Sequence, residues 1–395
     1  MTDAVNNAPS FVLKATAMLI GMFAFLQVYS IQSILPVLMM DFNASEVQVG
    51  MAVGATVMAV ALMSPFLGML SDALGRKSII VGALLFLAIP TGLIALSNSV
   101  ETLTIWRFLQ GLSVPGITVV TIAYLGEEFK GSAVAELMAY YVSGSVLGGF
   151  LGRFILGHLH EWVGWRTGYY FMAALTVFGA LWVAKTLPAS KNFVPSPKFR
   201  TALGTLSRHL TNRYVVSASL LGFCVLFSLV GCFTFINLHL ANEPYHLTTG
   251  QLANIFAVYL IGVIITPLST KLIQRFGSAR TIIVAVLISM LGVLITLSSP
   301  LWLIIIGLTV MSSGVFITQS ATIGYIATNV SEGRSLASGL YYMGYYAGGT
   351  AGAWACGLAY AYGEWSATVT LLVVVQIIAL LIAAFGMIKT PMHNA

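Results

Sequence analysis

Long apolar runs separated by short polar punctuation dominate the chain. Twelve runs stand out, roughly at 14–36, 47–70, 78–97, 102–125, 133–157, 166–186, 215–238, 251–271, 280–298, 301–326, 335–361 and 366–388. A helix needs about 20 mostly apolar residues to cross the hydrocarbon layer, and a spanning segment must satisfy its backbone polar groups internally. The pattern therefore predicts an all-α polytopic membrane protein with twelve transmembrane helices. It lacks the short alternation of a membrane barrel. One connection is long: 187–214 holds Pro188, Pro195 and Pro197 and, with Lys185 at its edge, the bases Lys191, Lys198, Arg200, Arg208 and Arg213. The expected organisation is a six-helix bundle at 1–186, a connector at 187–214 and a second six-helix bundle at 215–395.

Composition agrees. The chain is 58% hydrophobic and 8% charged, against roughly 25% charged in soluble domains. With the amino terminus placed inside, fifteen of the 18 Lys and Arg fall on the inner side. They are Lys14, Arg76, Lys77, Lys130, the six of the connector, Lys271, Arg275, Arg280, Arg334 and Lys389. Arg166 falls outside, and Arg107 and Arg153 lie within helices. By the positive-inside rule both termini are cytoplasmic. The net charge of +6 is thus a topology signal; the bases are scattered without aromatic partners and suggest no nucleic acid. The first run is too long for a signal-peptide core and lacks a basic front. Cys224, Cys232 and Cys356 lie in predicted helices with no zinc spacing, and the histidines form no cluster, so no metal or cofactor is expected. Without a nucleophile elbow, a phosphate loop or paired carboxylates in the membrane, the chain does not read as an enzyme.

The two halves echo each other. Shifted by about 200 residues, "GSVLGGFLG" (144–152) meets "GYYAGGTAG" (344–352), so Gly144, Gly148, Gly149 and Gly152 match Gly344, Gly348, Gly349 and Gly352. Glycines four apart let helix backbones approach closely. "SDALGRKS" likewise meets "IQRFGSAR", with Pro65 on Pro267 and Gly75 on Gly277. Two related bundles suit a transporter that rocks one half against the other. Such a machine needs an inner latch, and "GMLSDALGRKSII" (68–80) offers one: Asp72 could face the positive end of a helix in the other half, and Arg76 could pair with Glu127 or Glu128.

"GMLSDALGRK" resembles the G-x-L-x-D-x-x-G-R-K signature of the major facilitator superfamily, through Gly68, Leu70, Asp72, Gly75, Arg76 and Lys77. The resemblance implies that Asp72 and Arg76 control a conformational switch. "RFLQG" (107–111) resembles the R-x-x-Q-G signature of the fourth helix, which implies a role for Arg107 in proton coupling or substrate charge balance. "GSVLGGFLGR" (144–153) is similar to the fifth-helix antiporter signature, departing from it at Gly149, where proline is usual, and at Arg153, where glycine is usual. "YSIQSILP" (29–36) resembles a form found in bacterial inner-membrane efflux proteins. Together these imply the twelve-helix drug and metabolite efflux branch, with links to multidrug resistance and a proton as the coupling ion.

All twelve acids lie in loops or near helix ends, so a mid-helix proton site is missing. Glu136, about one turn into the fifth helix, is the nearest candidate; otherwise it is a carboxylate favoured by that helix end. Arg107 and Arg153 lie about 8–9 Å below the outer surface at ~1.5 Å per residue, where charge is costly and usually faces a cavity or a partner. Arg153 could instead snorkel outward or pair with Glu161 or Asp41. If both face a cavity, they favour an anionic or polar substrate. Further cavity candidates are Gln27, Tyr29, Gln32, Gln110, Tyr141, Asn237, Asn254, Tyr259, Gln319, Tyr341 and Tyr345, all able to serve instead as interhelical hydrogen-bonding groups. The expected function is alternating-access export of a small molecule by a lipid-embedded monomer. The alternatives are an importer or uniporter of a polar or anionic metabolite, and a receptor or assembly subunit that moves nothing.

Overall fold

The computed structural model describes residues 9–130, 132–190, 211–330 and 334–387; the side chains at 65, 68, 69, 72–74 and 334–336 fall outside that description. Gly68 and Asp72, two residues of the expected latch, are therefore placed by backbone only, and connector residues 191–210 lie outside the described residues.

Every described element is helical. The order is α1 (Phe11–Leu26), a 3-10 turn (Ser30–Ile34), α2 (Leu35–Phe42), α3 (Glu46–Leu74), α4 (Arg76–Ile94), α5 (Val100–Glu128) and α6 (Ser132–Thr186). After the connector come α7 (Arg213–Ala241), α8 (Thr249–Ile255), a 3-10 turn (Phe256–Leu260), α9 (Ile261–Phe276), α10 (Ser278–Ile295), α11 (Leu301–Asn329) and α12 (Arg334–Leu381). Among the described residues nine helices are long and apolar enough to cross a membrane, or ten if the bent pair Phe11–Leu26 and Ser30–Phe42 is one span. Two of the nine are double-length rods. α6 has 55 residues and breaks at Gly164 (φ 80°, ψ 156°). α12 breaks at Gly363 and Glu364. At ~1.5 Å per residue α6 would stretch about 80 Å, far beyond the ~30 Å hydrocarbon layer.

The chain divides into two compact units: residues 1–44, 55–197 and 247–256 form one, and 45–54, 198–246 and 257–395 form the other. In the first unit α6 lies directly on α1. A Cβ at Gly144, Gly148 or Gly152 would strike the carbonyl of Met18, Met22 or Leu26. Around this crossing Ile20, Phe23, Leu84, Leu87, Ile117 and Met172 are wholly buried or nearly so. In the second unit α12 lies on α7 in the same way, with Gly344, Gly348 and Gly352 against Ser219, Phe223 and Phe227. Lipid tails give apolar side chains no reason to leave them, so such close van der Waals contact is what holds the helices together.

Two predicted runs are not single helices. The run 14–36 stops being α-helical at Gln27 and bends by 46° before α2. Its middle carries Ser30 and Ser33, whose hydroxyls donate to the carbonyls of Gln27 (3.2 Å) and Ser30 (3.3 Å). Such local bonds compete with the helical ladder, and Pro36 at the start of α2 is pre-set for a new first turn. The run 251–271 is interrupted by the 3-10 turn at 256–260.

Candidate functional site: the broken first helix and its arginines

Where α1 stops, its last carbonyls lose their helical donors. In the first unit α5 supplies the replacement. Arg107 Nη1 donates to the Gln27 carbonyl (2.7 Å) and Nη2 to that of Val28. A guanidinium suits this place, offering several donors in a fixed fork and a positive charge at the negative end of a helix. Arg107 Nη1 also reaches Gln110 Oε1 (2.7 Å), and Gln110 Nε2 reaches Thr91 Oγ1 (2.8 Å). The Gln27 side chain crosses to α6, donating to Thr176 Oγ1 (3.0 Å). Arg107, Gln110 and Gln27 are all fully buried.

Arg153 belongs to the same polar core. Its Nε donates to Gln32 Oε1 (2.8 Å) and its Nη1 to the Gly149 carbonyl one turn back. Its guanidinium carbon lies 4.8 Å from the Tyr29 ring centre and 4.4 Å from that of Phe256. At 1% exposure it does not snorkel. The two acids considered as partners are engaged elsewhere: Asp41 accepts from Trp165 Nε1 (2.7 Å), and Glu161 accepts from the Gly250 amide (2.8 Å). Gln27, Tyr29, Gln32, Arg107, Gln110 and Arg153 therefore form one constellation. Tyr141 is buried in the same unit, while Asn254 is exposed and bonds His158 (3.0 Å).

A second charged group lies at the α3–α4 turn. Gly75 separates the two helices at φ +92°, a conformation that costs glycine little. Arg76 follows and forks onto Glu127, Nε to Oε2 at 3.0 Å and Nη2 to Oε1 at 2.6 Å, while Nη1 reaches Ser71. Of the two acids offered by the sequence the structure thus pairs Arg76 with Glu127; Glu128 and Lys77 are half-buried beside it. Glu136 takes Lys14 as its partner at 2.5 Å, a pairing across 122 residues that periodicity could not reveal.

The remaining candidates sit in the second unit. Tyr259 packs 4.5 Å from the Phe233 ring, and Tyr341 lies 5.9 Å from Tyr345. Asn237 bonds back to the Phe233 carbonyl (2.7 Å), and Gln319 is half-buried. Three contributors went unnoticed in the sequence: Thr91, Thr176 and Phe256. The cluster Gln27, Ser30, Gln32 and Ser33 inside one apolar run was the available signal for the break. Among the described residues no three His, Cys, Asp or Glu side chains assemble as metal ligands would.

The model of the Major Facilitator Superfamily matches residues 17–295 and 233–394. The chain belongs to this superfamily. It is a multi-pass integral membrane protein of a transporter family. The inner membrane transport protein YnfM of Escherichia coli is 30% identical over 381 residues, covering 95% of this chain and 91% of that protein. The chloramphenicol resistance protein CraA of Acinetobacter baumannii is 26% identical, covering 75% of this chain and 74% of that protein. Among solved structures, a bacterial homologue of the human lysosomal transporter Spinster superposes with a TM-score of 0.77 at 17% identity, over 96% of this chain and 98% of that one. That likeness shows a shared fold.

Proposed function

We propose that this superfamily member exports a small drug-like or metabolite molecule across a bacterial inner membrane by alternating access, with a proton moving the other way. The reading is carried by the glycine crossing of α6 on α1, built from the stretch that resembles the antiporter signature, and by its repetition in α12 on α7. A relative named for chloramphenicol resistance favours export. In this reading each double-length rod crosses twice, which with the eight other spans gives twelve crossings. Both termini are cytoplasmic, 187–214 joins bundles at 1–186 and 215–395, and the monomer is the working unit. Asp72, Arg76 and Glu127 form the inner switch. Substrate meets side chains from the set Gln32, Tyr141, Gln319, Tyr341 and Tyr345. Arg107 and Arg153 set the charge of the polar core.

Two measurements test it. Cells expressing the protein should accumulate less of a transported compound than cells lacking it; greater accumulation overturns export. In reconstituted vesicles, flux should rise when a pH gradient is imposed, and flux indifferent to that gradient removes the proton. A second reading, movement of a polar or anionic metabolite inward, draws on the two buried arginines. Arg107→Gln and Arg153→Gln variants, which remove the charge, should then lose flux of anionic compounds more than of neutral ones.

A further inference from the structure

Residues 247–256, which include α8, belong to the first unit, although the chain on either side of them belongs to the second. They lie along α6 just before its break at Gly164. A Cβ at Gly157 would strike the Thr249 carbonyl and Ala253, so the two helices touch there. Thr249 Oγ1 donates to the Gly157 carbonyl (3.0 Å), the Gly250 amide donates to Glu161 Oε1 (2.8 Å), and His158 Nε2 meets Asn254 Oδ1 (3.0 Å). The other ring nitrogen, His158 Nδ1, faces Glu161 Oε2 at 3.9 Å. The His158 and Glu161 side chains are 28% and 32% exposed, so a proton reaches them from solvent. Two residues past Gly164, Arg166 holds the Ala95 and Ser97 carbonyls where α4 ends, whereas Arg76 begins α4. The contact is therefore at the opposite end of the first unit from the Arg76–Glu127 pair.

We propose that His158 is a proton-binding site and that its protonation fastens α8 to α6. A neutral imidazole has one donor and one acceptor. It donates to Asn254 only while its other nitrogen turns a lone pair toward the Glu161 carboxylate, and it donates toward Glu161 only if the Asn254 amide turns round. The imidazolium donates on both sides and sets a positive charge opposite Glu161, which in turn holds Gly250. Histidine is the side chain whose charge ordinarily changes between about pH 5 and 8. Nothing on α8 or on the 3-10 turn at Ser30–Ile34 competes, since neither carries a charged side chain. On α6 the neighbours are His160, Glu161 and Arg153, and Asp41 of α2 is taken by Trp165. Lys14 of α1, Arg76 and Lys77 of α4, and Glu127 and Glu128 of α5 lie at the far end; α5 also brings Glu101, in its first turn, and Arg107, at the end of α1. The inference rests on the alternating-access reading, in which α8 must leave α6 for this end to open. In the orientation proposed above that end is the outer one, and protons outside favour the state closed there.

Spin labels on Leu96→Cys and Ala257→Cys provide the test, both positions being exposed and outside the contact, while the native cysteines are buried. Pulsed electron resonance on the full chain, without substrate, reads the distance between the end of α4 and the end of α8. As the pH falls from about 8 to about 5.5, across the range where histidine titrates, the shorter distance should gain severalfold over the longer. His158→Gln, which keeps a hydrogen-bonding group, should abolish that gain. Glu161→Gln should diminish it, and His160→Gln should leave it in place. If His158→Gln does not fold, Asn254→Ala, which removes the partner on α8, should cut the gain instead. A ratio indifferent to pH in the parent, a shift toward the longer distance in acid, or an undiminished gain in His158→Gln or Asn254→Ala overturns the proposal. So does loss of the gain in His160→Gln. Because no transport is measured, failure here leaves export and proton coupling standing, and failure of those in cells or vesicles leaves this contact standing.

Discussion

The two units solve one packing problem with different materials. In each, a glycine face lies on the carbonyls of a partner helix: α6 on α1, and α12 on α7. In each, a glycine with positive φ turns the chain sharply, Gly75 in one and Gly277 in the other. They diverge at Arg107: α11, which begins and ends 201 residues after α5, carries no charged side chain. Arg107 holds the loose end of a broken helix. Gly307 instead brings α11 against α10, where a Cβ would lie 2.7 Å from the Gly292 carbonyl. Arg153 has Ala353 as its counterpart, which is buried against Gly50 and Gly54. One unit buries cations around a helix break; the other closes backbone on backbone around an unbroken α7. A buried cation needs acceptors, and a broken helix supplies carbonyls, so break and arginine require each other.

The sharpest way to break this comparison is Arg107→Ala. It strands three buried acceptors, the Gln27 and Val28 carbonyls and the Gln110 side-chain oxygen, and should cost about 3–5 kcal/mol in all, since each buried group left without its partner costs about 1–3 kcal/mol. Thermal melting of the detergent-purified protein reads this out, and a melting point within error of the parent would show that the break stands without its cap. A matched pair comes next. Gly148→Val and Gly348→Val drive a side chain into the Met22 and Phe223 carbonyls, and each should cost roughly 1–3 kcal/mol by overpacking. Tolerance of one and not the other would end the equivalence of the two crossings.

Arg153→Lys keeps the charge but loses the flat fork above Tyr29 and Phe256, and should cost about 1 kcal/mol or somewhat more. A variant as stable as the parent would mean that those rings contribute little. The smallest effect has the opposite sign. Glu364 occupies the place of Gly164, 200 residues on, at φ +53° and ψ −143°, a region that side chains avoid at a cost on the order of 1 kcal/mol or more. Glu364→Gly should raise the melting temperature slightly, and a fall would mean that the glutamate side chain outweighs the strain.

These contrasts also show what could be read from the chain beforehand. Helical character, the glycine register and the turn at Gly75 follow from local pattern, because apolar run length and glycine spacing act on neighbouring residues. Twelve runs became nine or ten spans because Gly164 and the Gly363–Glu364 pair bend a helix without interrupting its hydrogen-bonded character for long. The site was less legible. Arg107 and Gln110 were named from their setting, but the task of Arg107 depends on where α1 ends, 80 residues away. The Lys14–Glu136 pair and the meeting of Arg153 with Phe256 are tertiary facts, with no period or spacing to announce them.

The cap on α1 carries a mechanical corollary. The elbow at Gln27 is bolted to α5 through Arg107 and to α6 through Thr176, so it cannot flex without tearing both fastenings. A shape change that keeps these bonds carries the end of α1, α5 and the part of α6 beyond Gly164 along together, and the pliable points have to be sought elsewhere in the chain.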